Sequence, residues 1–201
     1  MNSQNLVLGT EDELSEAIGE KLVSLTNGKL IVNQKLRQNG FGYLKKRIHN
    51  FCQLAERHPV LLITDLDNAA CPEKLKLSWL KERKEPDSFI FRVAVREIES
   101  WILADHSGLN TLFGKKAGKF PDNPDLLPNP KATLLSLAGK APRDVKEALV
   151  AKKGSTAIQG IQYNSLLCDF VKRNWNPEEA SLRSKSLALT INSLNKLAEN
   201  I

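Results

Sequence analysis

Apolar positions in the first half of the chain follow two spacings. Four short apolar runs have the length of β-strands, and they cover residues 6–8, 30–32, 60–64 and 89–95. The segments between and after these runs repeat apolar residues every three to four positions, which predicts helices over residues 11–26, 43–57, 73–84 and 97–104. Because strands and helices alternate, the pattern predicts an α/β fold with a mostly parallel four-stranded sheet flanked by helices.

The second half of the chain favours helices. Apolar residues at helical spacing predict helices over residues 131–137, 142–151, 165–174 and 178–197. We therefore expect two units: an α/β domain over residues 1–106, and a basic, mainly helical extension over residues 107–201 that packs on it.

The start of the first helix has its own sequence signal. Thr10 and Glu13 have the spacing of a capping box, in which each side chain bonds a free backbone N–H of the first turn. Asp12 lies in the same turn, where the positive end of the helix dipole favours a carboxylate. We expect the helix to begin at about residue 11.

Composition limits the class of protein. The chain of 201 residues is 41% hydrophobic, and it has neither a run of about 18 apolar residues nor a basic-then-apolar start. These features predict a cytoplasmic protein without a membrane segment. The three cysteines and three histidines lack the spacing of zinc or redox motifs.

Two aspartates follow the apolar run at residues 60–64. Asp65 and Asp67 are two positions apart, and open α/β sheets place their sites at the carboxyl ends of strands. Two carboxylates there can share one hard cation such as Mg²⁺ or Mn²⁺, which keeps several waters and needs few protein ligands. The alternative is that both aspartates cap the following turn and helix.

Two segments carry a resemblance to a known family. They are the run DLDNAACP at 65–72 and the block RVAVREIESWILAD at 92–105, with weaker similarity in NPK at 129–131 and GIQYN at 160–164. Together with the order of predicted strands and helices, they resemble a bacterial family of uncharacterised proteins with a TOPRIM domain, related to the TOPRIM domains of OLD-family nucleases. The resemblance implies a TOPRIM, Rossmann-like fold and a metal site. It also implies an ABC-type ATPase partner, since members are often encoded beside one.

The resemblance and the positions of the acids together suggest a set of site residues. The expected metal ligands are Asp65, Asp67, Asp12, Glu11 and Glu97, and the expected catalytic residues are Asp65, Asp67 and Glu99. For the four acids other than the aspartate pair, alternatives stay open. Glu11 and Asp12 also suit the first turn of a helix, and Glu97 and Glu99 could instead pair with Arg92 or Arg96.

One position departs from the family pattern. TOPRIM enzymes end their first strand in Glu followed by Gly, whereas this chain has Leu8 before Gly9. A leucine can neither bind a cation nor move a proton.

The positive charge of the chain is concentrated in one segment. The net charge is +6, and residues 115–153 hold nine basic residues against four acidic ones. Clustered cations bind phosphate backbones without reading sequence. The nucleic-acid-binding candidates are Lys115, Lys116, Lys119, Lys131, Arg143, Lys152 and Lys153, and the alternative is that they are solvated surface.

Two functions are consistent with these features. The first is a Mg²⁺- or Mn²⁺-dependent nuclease or related phosphotransfer enzyme that acts on nucleic acid, as the effector of an ATPase-partnered defence against phage, with a homo-oligomer among the expected assemblies. The second is a catalytically inactive TOPRIM-like module that binds nucleic acid or a partner, which Leu8 favours. A structural domain of the response-regulator type also suits the acidic strand end, but not the block at 92–105.

Overall fold

The computed structural model describes residues 3–37, 41–81 and 83–201, without the side chains of Phe41 and Lys115. The strands are β1 (Gln4–Thr10), β2 (Leu30–Arg37), β3 (Val60–Asp65) and β4 (Phe89–Ala94). The helices of the first half are α1 (Glu13–Ser24), α2 (Phe41–Ala55), α3 (Pro72–Leu80) and α4 (Glu99–Leu103). The later helices are α5 (His106–Phe113), α6 (Pro130–Ala138), α7 (Arg143–Leu149), α8 (Tyr163–Arg173), α9 (Pro177–Ser181) and α10 (Lys185–Glu199). Short 3-10 helices lie at Lys115–Ala117 and Pro124–Leu126.

The four strands form one parallel sheet in the order β2-β1-β3-β4. The predicted α/β class and the parallel four-stranded sheet flanked by helices are confirmed, and the arrangement is consistent with a Rossmann-like fold. β3 lies between β1 and β4 and is fully buried from Val60 to Thr64, as its continuous apolar run predicts.

Helices cover both faces of the sheet. On one face, α2 and α3 pack on side chains such as Val7 and Leu62. On the other face, α1 and helices of the second half pack on Leu6, Leu8 and Ile63 in one continuous apolar cluster. The cluster contains residues from both predicted units, and the predicted boundary at 106/107 stays a prediction.

The start of α1 differs from the prediction. Thr10 is the last residue of β1, and Asp12 is the N-cap, because its Oδ1 accepts a hydrogen bond of 2.8 Å from the backbone N–H of Ser15. The predicted capping box of Thr10 and Glu13 is therefore wrong. The strand extends two residues farther than its apolar run, and Glu11 is hydrogen-bonded to β3, so the cap is Asp12.

Two further differences concern helices of the second half. The helix α5 was not predicted, since Gly108 and Asn110 weaken its apolar pattern; Asp105 caps it at Gly108 with a hydrogen bond of 2.9 Å. The predicted helix over 178–197 is two helices, because Ser184 has extended backbone angles and caps α10 at Leu187. Among the described residues, none of the helices is both long and apolar enough to span a membrane.

Candidate metal centre

The parallel strands β1, β3 and β4 end at the same edge of the sheet, and each is followed by acids. They are Glu11 and Asp12 after β1, Asp65 and Asp67 at and after β3, and Glu97 and Glu99 after β4. Because β3 lies between the other two strands, the three pairs are brought to one region. The predicted acids thus share one edge of the sheet.

Asp65 is the most strongly perturbed of these acids. It is the last residue of β3, and its Oδ1 is buried without a hydrogen-bond partner among the described residues. Burial raises the pKa of its carboxyl well above the usual range, and the negative charges of Glu99, Glu11, Asp12 and Asp67 raise it further. Within the described part of the chain, no donor therefore compensates this buried oxygen of Asp65.

Glu11 lies beside Asp65. Its Oε1 accepts a hydrogen bond from the hydroxyl of Thr64 and a long one of 3.4 Å from the backbone N–H of Asp65. Burial raises the pKa of Glu11, although these two hydrogen bonds oppose the shift. The alternative that Glu11 serves only the first helical turn is wrong, because its side chain reaches back to β3.

Asp12 has a structural role in addition to its charge. As the N-cap of α1 it uses Oδ1 on the amide of Ser15, so the alternative of helix N-terminal placement holds for this residue. Its negative charge still contributes to the raised pKa values of Asp65 and Glu11.

Asp67 is held by its backbone rather than by its side chain. Its φ of 48° is left-handed, its N–H donates to the carbonyl of Arg96 at 2.9 Å, and its own carbonyl accepts from Nη1 of Arg96 at 2.9 Å. The carboxylate is exposed, burial raises its pKa, and the charge of Lys131 lowers it. The backbone bonds to Arg96 fix the loop and leave the carboxylate available.

The alternative that Asp65 and Asp67 cap the following helix is wrong. The N-cap of α3 is Cys71, which makes no side-chain capping bond, and Pro72 begins the helix. Within the described part of the chain, neither aspartate side chain accepts a hydrogen bond at the start of α3.

Glu97 and Glu99 bind residues of the second half. Oε2 of Glu97 accepts the backbone N–H of Lys131 at 2.8 Å, in the first turn of α6. Oε1 of Glu99, which is 2% exposed, accepts the hydroxyl of Tyr163 at 2.8 Å and pairs with Nζ of Lys131 at 3.2 Å. The alternative pairing of these glutamates with Arg92 or Arg96 is wrong, since both find a partner at Lys131.

Lys131 brings a positive charge to the acidic edge. Its Nζ lies 5.3 Å from the ring centre of Tyr163, in addition to its ion pair with Glu99. Burial lowers the pKa of Lys131, but the charge of Glu99 and their hydrogen bond outweigh this, so the net shift is upward. Burial and the charge of Glu99 raise the pKa of Tyr163, so its hydroxyl remains a hydrogen-bond donor.

The other predicted basic residues lie on the surface. Lys116, Lys152 and Lys153 are exposed, and the side chain of Lys115 lies outside the described part of the structure. Lys119 pairs with Asp122 at 2.7 Å, and Arg143 pairs with Glu147 at 2.7 Å. Of the described basic candidates, Lys131 joins the acids, and the nucleic-acid role of the set stays a prediction.

The acidic edge has some features of a cation site. Among the residues that the structure describes, no group of three or more His, Cys, Asp and Glu side chains is arranged to hold a metal ion. However, the Oδ1 of Asp65 is a buried oxygen without a donor, and close acids raise its pKa. Mg²⁺ keeps several waters and takes one or two carboxylates, which is the number that Asp65 and Asp67 offer.

The sequence pattern does not predict that Lys131 and Tyr163 lie beside Glu99. Lys131 was predicted as part of a basic surface, and Tyr163 was given no role. Both lie in the short segments at 129–131 and 160–164 that resemble the TOPRIM family, and this similarity was the available signal. Leu8 is fully buried in the apolar cluster beside α1, so no acid comes to the edge from that position.

Comparison with known proteins supplies no relative. No family model matches the chain, and neither a curated protein nor a solved structure matches it. The TOPRIM resemblance therefore stays a prediction from the sequence.

Proposed function

We propose that the chain is a Mg²⁺- or Mn²⁺-dependent nuclease, or a related phosphotransfer enzyme that acts on nucleic acid. The observation that carries the proposal is the buried Oδ1 of Asp65, which lacks a hydrogen-bond partner among the described residues; burial, and then the nearby acids, raise the pKa of this carboxyl. Native proteins keep such groups rarely, because an unpaired buried polar atom costs about 1–3 kcal/mol. Perturbed ionisable groups cluster at functional sites, so a functional role explains why the chain keeps this unfavourable group.

Asp65 and Asp67 would hold the metal ion in this proposal. A bound Mg²⁺ or Mn²⁺ supplies charge that polarises a phosphate and lowers the pKa of water. Glu11 keeps the end of β3 fixed through Thr64 and the amide of Asp65. Asp12 adds negative charge while it caps α1, and Glu97 accepts the backbone N–H of Lys131.

Lys131 is the residue that we assign to the substrate phosphate. Its side chain is one-third exposed and carries a positive charge, and contacts with Glu97 and Glu99 fix its backbone and its Nζ. Glu99 is then a positioning residue, because its oxygen contacts Lys131 and Tyr163. The exposed Lys116, Lys152 and Lys153 would hold the rest of a nucleic acid by counterion release.

The wider setting of this proposal comes from the TOPRIM resemblance alone. It suggests an ABC-type ATPase partner, a role as effector of a defence against phage, and a place in the cytoplasm. The proposed metal-dependent chemistry does not depend on the partner, the defence role or the location.

A second candidate function is a catalytically inactive module that binds nucleic acid or a partner. The observation in its favour is Leu8, which is fully buried where TOPRIM enzymes carry a glutamate. In our first proposal Glu11, which contacts Asp65, provides a carboxylate at that end of β1 instead.

Cleavage of plasmid DNA and of RNA with Mg²⁺ or Mn²⁺ tests the proposal. We expect the wild-type chain to cleave at least one of them, and Asp65→Asn to lose at least about a hundredfold of the rate, a usual loss when charge stabilisation of a transition state is removed. Asp169→Asn, an exposed aspartate of α8, is the matched control and should cleave as the wild type does.

The two candidate functions predict different results. If the wild-type chain binds nucleic acid but cleaves neither substrate with either ion, alone or with its ATPase partner, the inactive module is correct. If Asp65→Asn cleaves as fast as Asp169→Asn, the metal site is not at Asp65 and the first proposal is wrong.

A further inference from the structure

A cavity of about 440 Å³ beside the outer strand β4 is lined by none of the acids of the candidate metal centre. α3 borders it on one side and α10 on the other, and the segment around Asp125 completes its wall. Cavities of about 300–1,000 Å³ are typical of small-molecule sites. The cavity is therefore large enough for a small organic ligand.

The free edge of β4 faces this cavity. The carbonyls of Ser88 and Ala94 accept hydrogen bonds from β3, and backbone groups alternate sides along a strand. The N–H and C=O groups of Phe91 and Val93 therefore point away from β3, and both residues line the cavity. Backbone donors are thus available to a ligand at this edge.

Three cations line the cavity: Lys76, Arg92 and Lys185. Nη2 of Arg92 donates to the hydroxyl of Ser193, while its Nε is buried without a partner among the described residues. A guanidinium with a free buried N–H is a donor that suits an oxyanion.

Lys76 is held next to an aromatic ring. Its Nζ lies 5.2 Å from the ring centre of Phe91 and 3.4 Å from Oε1 of Glu85. Burial lowers the pKa values of Lys76 and Arg92, because both cations have lost part of their water. An anion in the cavity would restore the lost stabilisation of both charges.

The carboxylates that line the cavity do not neutralise it. Oδ1 of Asp125 accepts the hydroxyl of Ser184 at 2.8 Å, and its Oδ2 accepts the N–H of Ser186 at 2.9 Å. Glu73 is exposed at the first turn of α3. Lys76 already pairs with Glu85, whereas Arg92 and Lys185 have no ion pair among the described residues.

The remaining wall is apolar. Val93 and Val95 of the β4 segment face Leu126 and Leu189, which are 79% and 48% exposed. Exposed leucines beside a cavity mark a surface that a ligand can cover. The wall thus suits a ligand with an apolar body next to its charged group.

We propose that this cavity binds a small organic phosphate, a phosphomonoester whose dianion meets Arg92, Lys76 and Lys185 and whose flat apolar body lies along Phe91, Val93 and Leu189. A dianion suits a cavity lined by three cations better than a singly charged carboxylate does. The proposal is independent of the metal centre, since none of its residues belongs to the acidic edge.

Isothermal titration calorimetry with phenyl phosphate, inorganic phosphate and benzoate tests this proposal, with EDTA present to keep metal ions out. We expect phenyl phosphate to bind the wild-type chain at least about tenfold more tightly than either of the others, since it alone offers both the dianion and the ring. Asp65→Asn should bind phenyl phosphate as the wild type does, which separates this site from the metal centre.

Variants of the cationic residues complete the test. Arg92→Gln and Lys185→Gln should each weaken binding of phenyl phosphate by about tenfold, the loss of one charge-assisted hydrogen bond. Lys196→Gln, an exposed lysine near the other end of α10, is the matched control and should change nothing. Thermal unfolding checks that each variant is folded. If Arg92→Gln does not fold, Lys185→Gln, which changes only an exposed side chain, is the variant that tests the proposal.

Three results would overturn the proposal. One is a wild-type chain that does not bind phenyl phosphate, and another is equal binding of inorganic phosphate or benzoate. The third is a folded Lys185→Gln chain that binds phenyl phosphate as tightly as Lys196→Gln does.

Discussion

Asp65 is a single carboxylate whose burial lowers the stability of the folded chain. Its pKa is raised mainly by burial and then by Glu99 and Glu11, so the folded state holds a proton more firmly than the unfolded state does. Where the folded state binds more protons, stability falls as pH rises through the interval between the ordinary pKa and the raised one. Without a metal ion, ionisation of Asp65 therefore destabilises the fold.

Replacing this charge should stabilise the metal-free protein. In EDTA near neutral pH, we expect Asp65→Asn to raise the melting temperature by roughly 2–4 °C, which is what about 1 kcal/mol gives in a chain of this size. The gain should shrink as the pH is lowered toward the ordinary pKa of an aspartate, because the wild-type carboxyl then takes up its proton. Thermal unfolding at several pH values measures both effects, and a variant less stable than the wild type at every pH would contradict them.

Lys131 and Glu99 depend on each other. Lys131→Met should destabilise the fold by about 1–3 kcal/mol, because it leaves the carboxylate of Glu99 buried with only Tyr163 as a partner. Adding Glu99→Gln to that variant removes the unpaired charge and should recover part of the loss. Urea unfolding of the two single variants and the double variant measures the coupling, and strictly additive losses would show that the pair does not interact.

At the scale of elements, a close backbone contact positions α8. A Cβ at Gly160 would lie 2.2 Å from the carbonyl oxygen of Ala148, and the N–H of Gly160 donates to Leu149 at 2.7 Å. The carbonyl of Gly160 in turn accepts the N–H of Tyr163, the first residue of α8. The contact between α7 and this turn therefore determines where the hydroxyl of Tyr163 meets Glu99.

Gly160→Ala tests this positioning. We expect a loss of about 1–3 kcal/mol, as for overpacking against a backbone that cannot move away. Gly42→Ala is the control, since its Cβ would meet nothing within 4 Å and an alanine favours the helix α2 by about 0.5–1 kcal/mol. Chemical unfolding compares the two, and an equal effect of both substitutions would exclude the contact as a constraint.

Local pattern predicts the sheet well and several helix ends poorly. The run before Asp65 predicts a buried central strand because its neighbours on both sides are also apolar strands. The capping residues are harder to predict: Thr10 and Asp12 can each cap a helix, and the end of β1 decides between them. Likewise, Ser184 interrupts an apolar pattern that continues on both sides of it.

At the scale of the whole molecule, the sequence predicts the acids of the site but not that Lys131 lies among them. Acids that follow parallel strands meet because the sheet brings the strand ends together. Lys131 and Tyr163 arrive from helices far along the chain, whose placement depends on packing against the sheet face. No spacing rule relates them to Asp65.

The surface charge predicts a salt-dependent interaction. If Lys152 and Lys153 contact phosphates, the variant Lys152→Gln/Lys153→Gln should bind DNA more weakly. Its plot of log affinity against log salt should be shallower by about 1.8, since each lost contact removes about 0.9. Fluorescence anisotropy at several salt concentrations measures the slope, and a slope equal to that of Lys196→Gln would exclude the two lysines from the interface.

The most direct measurement is the melting temperature of three chains with and without Mn²⁺. At about tenfold excess over its dissociation constant, the ion should raise the melting temperature of the wild type and of Asp169→Asn by roughly 3–6 °C. Asp65→Asn should show no rise, because the buried oxygen that holds the ion has lost its charge. A rise in Asp65→Asn equal to that of Asp169→Asn, or none in the wild type, would contradict a metal site at Asp65.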